Sequence, residues 1–436
     1  MLRFRRKPPI MQNGDAGPVA VLDVPPPPAP PPAPALVGYL EERSTRHVSG
    51  WVRNPDALDE SVEFEVVCTL PGAERTIARG RANLYIRIQE LSGVGNAAYG
   101  FWLVFPEAIS EAERDHLEVR PVVTGEPLPH APNLRTRWEP IRFVNMDIVD
   151  NCNLRCPFCV YDYSNVHTTN VMTDEVFEKT LTLLPLVGVE QFWLSCLHEP
   201  TMHPKLTEFI RRIPREYRGN VFYTTNLARR MRPEYYETLA DSGIDHLNIS
   251  IESRDPAIYE RMRKGARHRI FMECWDQLLC AFAQGSAPPR LHYVILAYKS
   301  NLREIPGLVE YLLNERRAAS LEVRHTFDQS HIPAEFKAVE YLEADDWKWL
   351  RDELAGYPAG QVILTLPPEL LPRTPLPVAP ESRSTRLEGA FWVRVSYDGL
   401  MHIAPALADL ALDRPELARF ANIKDIGDPA EFFATL

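Results

Sequence analysis

The sequence contains no uninterrupted apolar run as long as a transmembrane helix requires, which is about 18 residues or more. Its basic first residues, MLRFRRKPPIMQNG, also lack an apolar stretch of signal-peptide length. The net charge of −11 provides no global basic field that would recruit nucleic acid or an anionic membrane surface. We therefore predict a cytoplasmic protein that neither spans a membrane nor binds nucleic acid.

Cysteine is scarce, with seven residues among 436, and its number is odd. An odd number in a chain without an export signal argues against a disulfide framework. Three of the seven fall within one eight-residue window, CNLRCPFC, which is the strongest local signal in the sequence. Elsewhere, Cys68, Cys274 and Cys280 are predicted to be packed core thiols, because buried cysteines act mostly as small hydrophobes.

The composition changes along the chain, whose length suggests two or three domains. Residues 1–35 include the run PPPPAPPPAP, which favours polyproline II and cannot build a core. This segment is predicted to be disordered or extended and to act as a tether, with a proline-binding partner as the alternative. Residues 36–135 contain short segments with apolar–polar alternation, such as SVEFEVVC, and are predicted to form an all-β sandwich.

Residues 140–330 alternate between strand and helix patterns, which implies a parallel sheet with right-handed crossovers. Six such units are too few for an eight-fold barrel, so an α/β fold with a partial (β/α)6 barrel is predicted, with its chemistry at the carboxyl ends of the strands. A helix is predicted over Thr173–Leu184, with Thr173 as its N-cap. Residues 331–436 are predicted to form a short α+β extension that includes the strand pair FWVRVSYDGLMHIA. The predicted barrel strands are Arg142–Val149, Val189–Ser195, Asn220–Thr225, His246–Glu252, Leu291–Ala297 and Ser320–His325.

The cysteine cluster follows the first predicted barrel strand directly, with the spacing Cys152-x-x-x-Cys156-x-x-Cys159. Three thiolates on a short loop can hold three corners of an iron–sulfur cubane, because soft sulfur ligands suit such clusters. The absence of a fourth cysteine leaves one iron open to an exogenous ligand. A structural zinc site normally needs four protein ligands, so zinc is the alternative if His198 or His167 provides the fourth.

The segment CNLRCPFC resembles the signature of the radical S-adenosylmethionine (radical SAM) superfamily, with Phe158 as the aromatic residue before the third cysteine. The resemblance extends over roughly residues 142–325. It implies one [4Fe–4S] cluster on the three cysteines, with S-adenosylmethionine bound at the open iron. It further implies one-electron cleavage of that cofactor to a 5′-deoxyadenosyl radical, which removes a hydrogen atom from a substrate. A flavodoxin or ferredoxin is the implied electron donor.

Other residues near the predicted strand ends match positions that contact the cofactor in that family. Glu199, in FWLSCLHEPTMHP, resembles a glutamate that contacts the methionine amino group, but Leu197 and His198 replace the glycines that usually precede it. Cys196 is a candidate hydrogen-atom donor to a substrate radical, with a buried core thiol as the alternative. The other predicted cofactor-binding residues are Phe158, Thr225 and Asn226 near the cluster, Ser250 and Glu252 at the ribose hydroxyls, and Asn301 and Arg324, the last with a structural ion pair as an equal alternative.

The substrate class follows from weaker resemblances. The N-terminal β region resembles accessory domains found beside bacterial glycan-building enzymes, and there Trp51 and Trp102 are candidates for stacking on sugars or for the core. We therefore expect hydrogen abstraction from a carbohydrate or glycoconjugate, giving epimerisation, dehydrogenation or dehydration. A peptide-modifying maturase and a non-catalytic iron–sulfur scaffold are the alternatives. The tail resembles SPASM/twitch-type extensions, but no cysteine follows Cys280, so one cluster is expected.

Overall fold

The computed structural model describes residues 35–83, 99–136, 138–187, 192–195, 197–358, 360–367, 370, 391–405 and 418–436. The predicted tether over residues 1–35 lies outside this range except for Ala35. Cys196, the candidate hydrogen donor, also lies outside the described residues.

Two small β-sheets precede the barrel, in the strand orders β5-β2-β1-β7 and β4-β3-β6. Apolar side chains from both sheets form one core, in which Cys68 is fully buried, as predicted. Trp51 and Trp102 are both buried as well, at 5% and 8% exposure. The ring of Trp102 is stacked by His47 at 4.1 Å and contacted by the Arg142 guanidinium at 4.1 Å, so this indole is a packing residue. The elements are β1 (Val37–Arg43), β2 (His47–Arg53), β3 (Val62–Cys68), β4 (Arg75–Ala82), β5 (Gly100–Val104), α1 (Glu111–Asp115), β6 (Leu117–Pro121) and β7 (His130–Arg135).

The barrel sheet contains all six strands predicted from the sequence, and they pair in parallel. The prediction of a partial barrel is therefore confirmed. A further parallel strand, β14, pairs with β13 and was not predicted from the sequence, because four residues give too short an alternation to recognise. The strands are β8 (Ile141–Met146), β9 (Phe192–Trp193), β10 (Val221–Thr225), β11 (His246–Ser250), β12 (Arg290–Leu296), β13 (Ala318–Arg324) and β14 (Val362–Thr365).

Amphipathic helices cover the outer face of this sheet. The predicted N-cap is present, since the Thr173 side chain accepts a hydrogen bond from the backbone N–H of Val176. In the longest helix Cys274 is buried, as predicted, whereas Cys280 is exposed. The prediction for Cys280 was wrong because its position lies off the buried stripe of that helix. The helices are α2 (Asp174–Leu181), α3 (Leu206–Arg212), α4 (Pro233–Ala240), α5 (Pro256–Met262), α6 (His268–Gln284), α7 (Ile305–Glu315), α8 (Ala334–Glu340) and α9 (Ala344–Leu354), with 3-10 turns at Leu184–Leu186, Pro200–Met202 and Arg215–Asn220.

The C-terminal strands extend the barrel sheet on the side of β8. Strand β15 (Phe391–Val395) runs parallel to β8, and β16 (Leu400–Pro405) and β17 (Arg419–Asn422) follow in antiparallel order. Gly399, in the tight turn between β15 and β16, has a φ of +90°, which suits glycine. A 3-10 turn at Ile423–Asp425 and helix α10 (Pro429–Thr435) complete the described extension. The ten-stranded order β14-β13-β12-β11-β10-β9-β8-β15-β16-β17 has two edges, so the barrel is open.

A buried carboxylate joins the N-terminal sheets to the barrel. Glu42 of β1 is 2% exposed and accepts two hydrogen bonds from Arg142 of β8, at 2.8 and 2.7 Å. It also accepts hydrogen bonds from Ser49 and His47 and is paired with Arg135. Burial opposes ionisation of Glu42, but the His47 hydrogen bond and the arginines outweigh it and lower its pKa to about 2. The charge is therefore fully partnered at this junction.

Within the described residues, no helix combines the length and the apolar character that crossing a bilayer requires.

Candidate functional site

The three clustered cysteines lie on the loop that follows β8, where the carboxyl ends of the barrel strands meet. Cys152, Cys156 and Cys159 are all half-buried free thiols. Burial raises the pKa of the Cys152 and Cys156 thiols to about 12 and also raises that of Cys159. Burial therefore opposes ionisation of these thiols, and binding of a metal centre to them would release protons.

Neighbouring strand ends hold this loop from several sides. The Asn226 amide, just after β10, is 3.5 Å from the Cys152 sulfur and donates a hydrogen bond to Asn153 at 2.9 Å. The backbone N–H of Arg155 donates to the carbonyl of Lys264 at 2.8 Å. Next to it, Gly265 lies against the cysteine loop with a φ of +101°, a backbone conformation that favours glycine.

The far side of the loop contacts the segment after β13. Thr326 donates a hydrogen bond to the carbonyl of Phe158 at 3.3 Å, and His331 lies 2.8 Å from the carbonyl of Cys159. The Phe158 ring is buried against Met262 and Tyr298. The structure therefore gives Phe158 a packing role beside the cysteines, and contact with the cofactor stays a prediction.

Glu199 is buried beside the first cysteine at 2% exposure. Its carboxylate accepts hydrogen bonds from the Thr225 hydroxyl at 2.8 Å, from the Asn226 backbone N–H at 2.7 Å and from the hydroxyl and N–H of Thr201. Burial raises the pKa of Glu199, and these hydrogen bonds act in the opposite direction. Glu199 thus ties the ends of β9 and β10 together, and a cofactor amine would have to share its oxygens with four protein donors.

Glu252 has a different partner from the one expected. Both of its oxygens receive hydrogen bonds from Arg263, at 2.5 and 2.6 Å, and the pair is buried. Each oxygen keeps one acceptor position beside its hydrogen bond to Arg263, and contact of Glu252 with ribose hydroxyls stays a prediction. Ser250, two residues earlier, lies half-buried at the end of β11, and its contact with a ribose stays a prediction.

Arg263 belongs to this site but was not predicted from the sequence. Its charge lowers the thiol pKa values that burial raises, and its guanidinium lies 5.8 Å from the Phe158 ring centroid. No motif marks it, because Arg263 follows α5, outside the strand ends where ligands were sought.

Asn301 and Arg324 have mainly structural contacts. The Asn301 amide donates to the carbonyls of Glu252 and Leu296, and its oxygen accepts from the N–H of Tyr298, so this fully buried side chain fixes the backbone. Contact of Asn301 with the cofactor stays a prediction. Arg324 lies 3.7 Å from Glu322, a loose ion pair of the kind considered as the alternative.

Two tyrosines and His198 lie next to the cysteine loop. Tyr163 is buried, its hydroxyl is 2.7 Å from Nδ1 of His198, and Tyr161 contacts the same imidazole edge-on at 4.7 Å. Both tyrosines line a cavity of about 530 Å³ together with Cys156, Cys159 and other residues of the loop. Among the residues that the structure describes, no group of three or more His, Cys, Asp or Glu side chains converges as a site for a single metal ion.

The chemistry of this loop fits an iron–sulfur cluster. Its donors are soft sulfurs, and polar N–H groups approach them, since the Leu154 backbone N–H lies 3.4 Å and the Asn226 amide 3.5 Å from the Cys152 sulfur. Arg263 adds a buried positive charge that favours thiolate over thiol. Cys152, Cys156 and Cys159 would hold such a cluster.

Comparison with known proteins agrees with this chemistry. The family model described as the Radical SAM superfamily matches residues 146–279. The chain is 25% identical over 192 residues to GTP 3′,8-cyclase of Microcystis aeruginosa, covering 42% of this chain and 54% of that protein. It is 28% identical over 123 residues to the probable GTP 3′,8-cyclase of Thermococcus kodakarensis, covering 28% of this chain and 39% of that protein. The chain thus spans about half the length, or less, of these curated relatives.

Solved structures that match this chain include SuiB of Streptococcus suis bound to S-adenosylmethionine, with 14% identity, a TM-score of 0.46 and coverage of 66% of this chain and 65% of that one. The structure of anSMEcpe with bound AdoMet matches with 17% identity, a TM-score of 0.44 and coverage of 67% and 80%. Proteins of the radical SAM family use a [4Fe–4S] cluster and S-adenosylmethionine. The cysteine loop, the strands that hold it and the family match together identify residues 146–279 as a radical SAM superfamily domain.

Proposed function

We propose that this chain is a radical SAM enzyme that acts on a carbohydrate or glycoconjugate, with epimerisation, dehydrogenation or dehydration as the outcome. Cys152, Cys156 and Cys159 hold one [4Fe–4S] cluster, and a flavodoxin or ferredoxin supplies the electron. When bound, the cluster provides the electron that cleaves S-adenosylmethionine to a 5′-deoxyadenosyl radical, which abstracts hydrogen from the substrate. The observation that carries the proposal is the set of three half-buried free thiols on the loop after β8, of which Cys152 is approached by the Leu154 N–H of the loop and by the Asn226 amide after β10.

The chain's own residues position the cysteine ligands and shield the loop that carries them. Asn226 donates toward the Cys152 sulfur, and Glu199 fixes the Asn226 backbone, so these two residues set the position of the first ligand. The Glu252–Arg263 ion pair is buried behind the loop, where Arg263 lowers and Glu252 raises the pKa of the Cys156 thiol. Tyr161 and Tyr163 cover the loop and help to exclude water from the reaction.

The names of the relatives are weak support for GTP as the substrate of this chain. A nucleoside triphosphate would require an excess of cations. On the inner face of the barrel sheet, the two arginines of β13 and β15, Arg324 and Arg394, are instead paired with Glu322 and Asp147. Peptide modification is the second candidate, and the open barrel leaves room for it.

The first test is anaerobic reconstitution with iron and sulfide, followed by dithionite and S-adenosylmethionine and measurement of 5′-deoxyadenosine. The variants Cys152→Ala, Cys156→Ala and Cys159→Ala are expected to abolish the product and most of the bound iron. Cys280→Ala is the matched control, because its thiol is exposed and remote from the loop in sequence, and it should retain both.

Other results would exclude the proposal. Retention of zinc in place of iron by the wild-type protein would point to a structural metal site. Retention of the cluster without any cleavage of S-adenosylmethionine, even with a cell extract present as a source of substrate, would favour a scaffold.

A further inference from the structure

The inner face of the barrel sheet carries polar side chains beside a group of aromatic rings that includes Phe143, Trp193 and Phe222. In parallel pairing, residues in register project from the same face of a sheet. Asn145 of β8 is in register with Trp193 of β9 and with Arg394 of β15. The Trp193 indole donates a hydrogen bond to Thr224, at 3.1 Å, and Thr224 is in register with Asn248 of β11. These side chains therefore share one face, opposite the apolar face that packs on the helices.

Three oxygens on this face are buried but have no hydrogen-bond donor among the described residues. They are Oδ1 of Asn145, Oδ1 of Asn248 and Oδ1 of Asp147, which follows β8 on the same side. Asn248 is 7% exposed and Asp147 is 2% exposed, so little solvent reaches either residue. Buried acceptors are nearly always paired, so three such oxygens on one concave face indicate a ligand that donates hydrogen bonds.

The charges on this face are balanced. The other oxygen of Asp147 accepts hydrogen bonds from Nε and Nη2 of Arg394, at 2.9 and 2.8 Å. Arg324 lies 3.7 Å from Glu322, too far for a hydrogen bond, and its buried Nε has no acceptor among the described residues, so it can donate to a ligand oxygen. Two carboxylates therefore face two guanidinium groups, and the face does not favour a strongly charged ligand.

An aromatic surface adjoins these polar groups. Trp392 is in register with Phe143, the two ring centroids are 5.9 Å apart, and Trp392 is 56% exposed. An accessible indole beside hydrogen-bond acceptors suits a molecule that has both C–H faces and hydroxyl groups. The C–H face can pack on the indole ring, and the hydroxyl groups can donate hydrogen bonds to the acceptors.

We propose that this inner face is the substrate site and that it selects a hydroxyl-rich, weakly charged molecule of the saccharide class. Asn145, Asn248 and Asp147 accept hydrogen bonds from its hydroxyls, and Trp392 packs against its ring. Arg394 holds Asp147 in place and is a positioning residue. This inference rests on the proposed radical SAM function and names the residues that recognise its substrate.

The test uses the reconstituted full-length protein and a small-molecule extract of cells that express it. One portion of the extract is treated with periodate, which cleaves vicinal diols and is then quenched and removed, and a second portion is digested with protease. A third portion is depleted of nucleotides on an anion-exchange resin, because periodate also cleaves the ribose diol of ribonucleotides. The measurement is the increase in 5′-deoxyadenosine formation that each portion causes above the level without extract. We expect the untreated, protease-digested and nucleotide-depleted portions to stimulate the wild-type protein and the periodate-treated portion to have lost that effect.

Substitutions on the inner face test whether the stimulation by extract depends on these side chains. Asn248→Ala and, separately, Asn145→Ala should require roughly tenfold more extract for the same stimulation, because each removes one hydrogen bond to the substrate. The matched control is Asn314→Ala on the exposed side of α7, which should respond as the wild type does. A circular dichroism melt of each variant identifies loss of fold, and if one asparagine variant fails to fold the other decides.

The outcomes separate the two proposals. Absence of 5′-deoxyadenosine under every condition contradicts the proposed function itself. Production of 5′-deoxyadenosine without stimulation by any portion, or stimulation that survives periodate and is lost on proteolysis, overturns the saccharide site. An unchanged response in folded Asn145→Ala and Asn248→Ala proteins also overturns it.

Discussion

The two faces of the barrel sheet are stabilised in different ways. The outer face is formed by apolar side chains that are almost fully buried against the helices, such as Tyr223, Leu247, Ile249, Tyr293 and Val323. Alternate positions on the same strands carry amides, carboxylates and guanidinium groups on the inner face. Close packing of apolar side chains stabilises the outer face. On the inner face, hydrogen bonds and ion pairs contribute, but several buried polar atoms have no partner among the described residues. The incompletely paired face is the one available to a ligand.

The largest loss of stability is expected from breaking the buried Glu252–Arg263 ion pair, in which both carboxylate oxygens accept hydrogen bonds from the guanidinium group. Glu252→Gln leaves the buried Arg263 without its carboxylate, so the free energy of unfolding should fall by about 3–5 kcal/mol. Urea denaturation followed by circular dichroism measures the loss. Glu310→Gln, at an exposed position of α7, is the control and should be close to wild type. A loss no larger than that of the control would mean that the pair is not a structural element.

Packing on the outer face should give the next largest effect on stability. Ile249→Ala removes a side chain with no exposed surface and should cost about 2–5 kcal/mol, through lost burial and the cavity that remains. The same denaturation experiment applies, with Ile363→Ala as the control because Ile363 is 42% exposed in β14. Equal losses at the two isoleucines would contradict the difference between the faces.

A smaller effect is expected at the half-exposed ion pair of the extension. Arg394→Met leaves Asp147 buried without its cation, and the expected loss is about 1–3 kcal/mol, limited because the Arg394 side chain is 40% exposed. Arg351→Met, on the exposed surface of α9, is the comparison. Unfolding of the two variants at the same urea concentration would contradict a stabilising contact between β15 and the end of β8 through this ion pair.

The smallest effect is expected one residue away from Ile249. Asn248→Ala removes an oxygen without a donor in the described structure and one hydrogen bond to Thr224 at 3.2 Å, so the loss should stay within about 1 kcal/mol. Adjacent residues of β11 would then differ several-fold in their contribution to stability. A loss as large as that of Ile249→Ala would show that Asn248 is part of the packed structure and not reserved for a ligand.

The sequence by itself determined the barrel and its principal loop. Alternating strand and helix patterns predicted six parallel strands, and the spacing of Cys152, Cys156 and Cys159 indicated iron–sulfur chemistry, because both signals are local and depend on neighbours along the chain. The N-cap Thr173 was predictable for the same reason. The exposure of Cys280 was not, since a single cysteine in an amphipathic helix gives no information about the face on which it lies.

Only the tertiary structure decided which polar residues have partners. Glu252 and Asn301 resembled ligand positions in the sequence, and the structure adds protein partners to both: Arg263 for Glu252, and the carbonyls of Glu252 and Leu296 for Asn301. Asp147 and Arg394 are 247 residues apart in the chain, and they meet because β15 pairs with β8. Pairing of this kind depends on how distant strands assemble, so the polar inner face of the barrel becomes visible only when the sheet is formed.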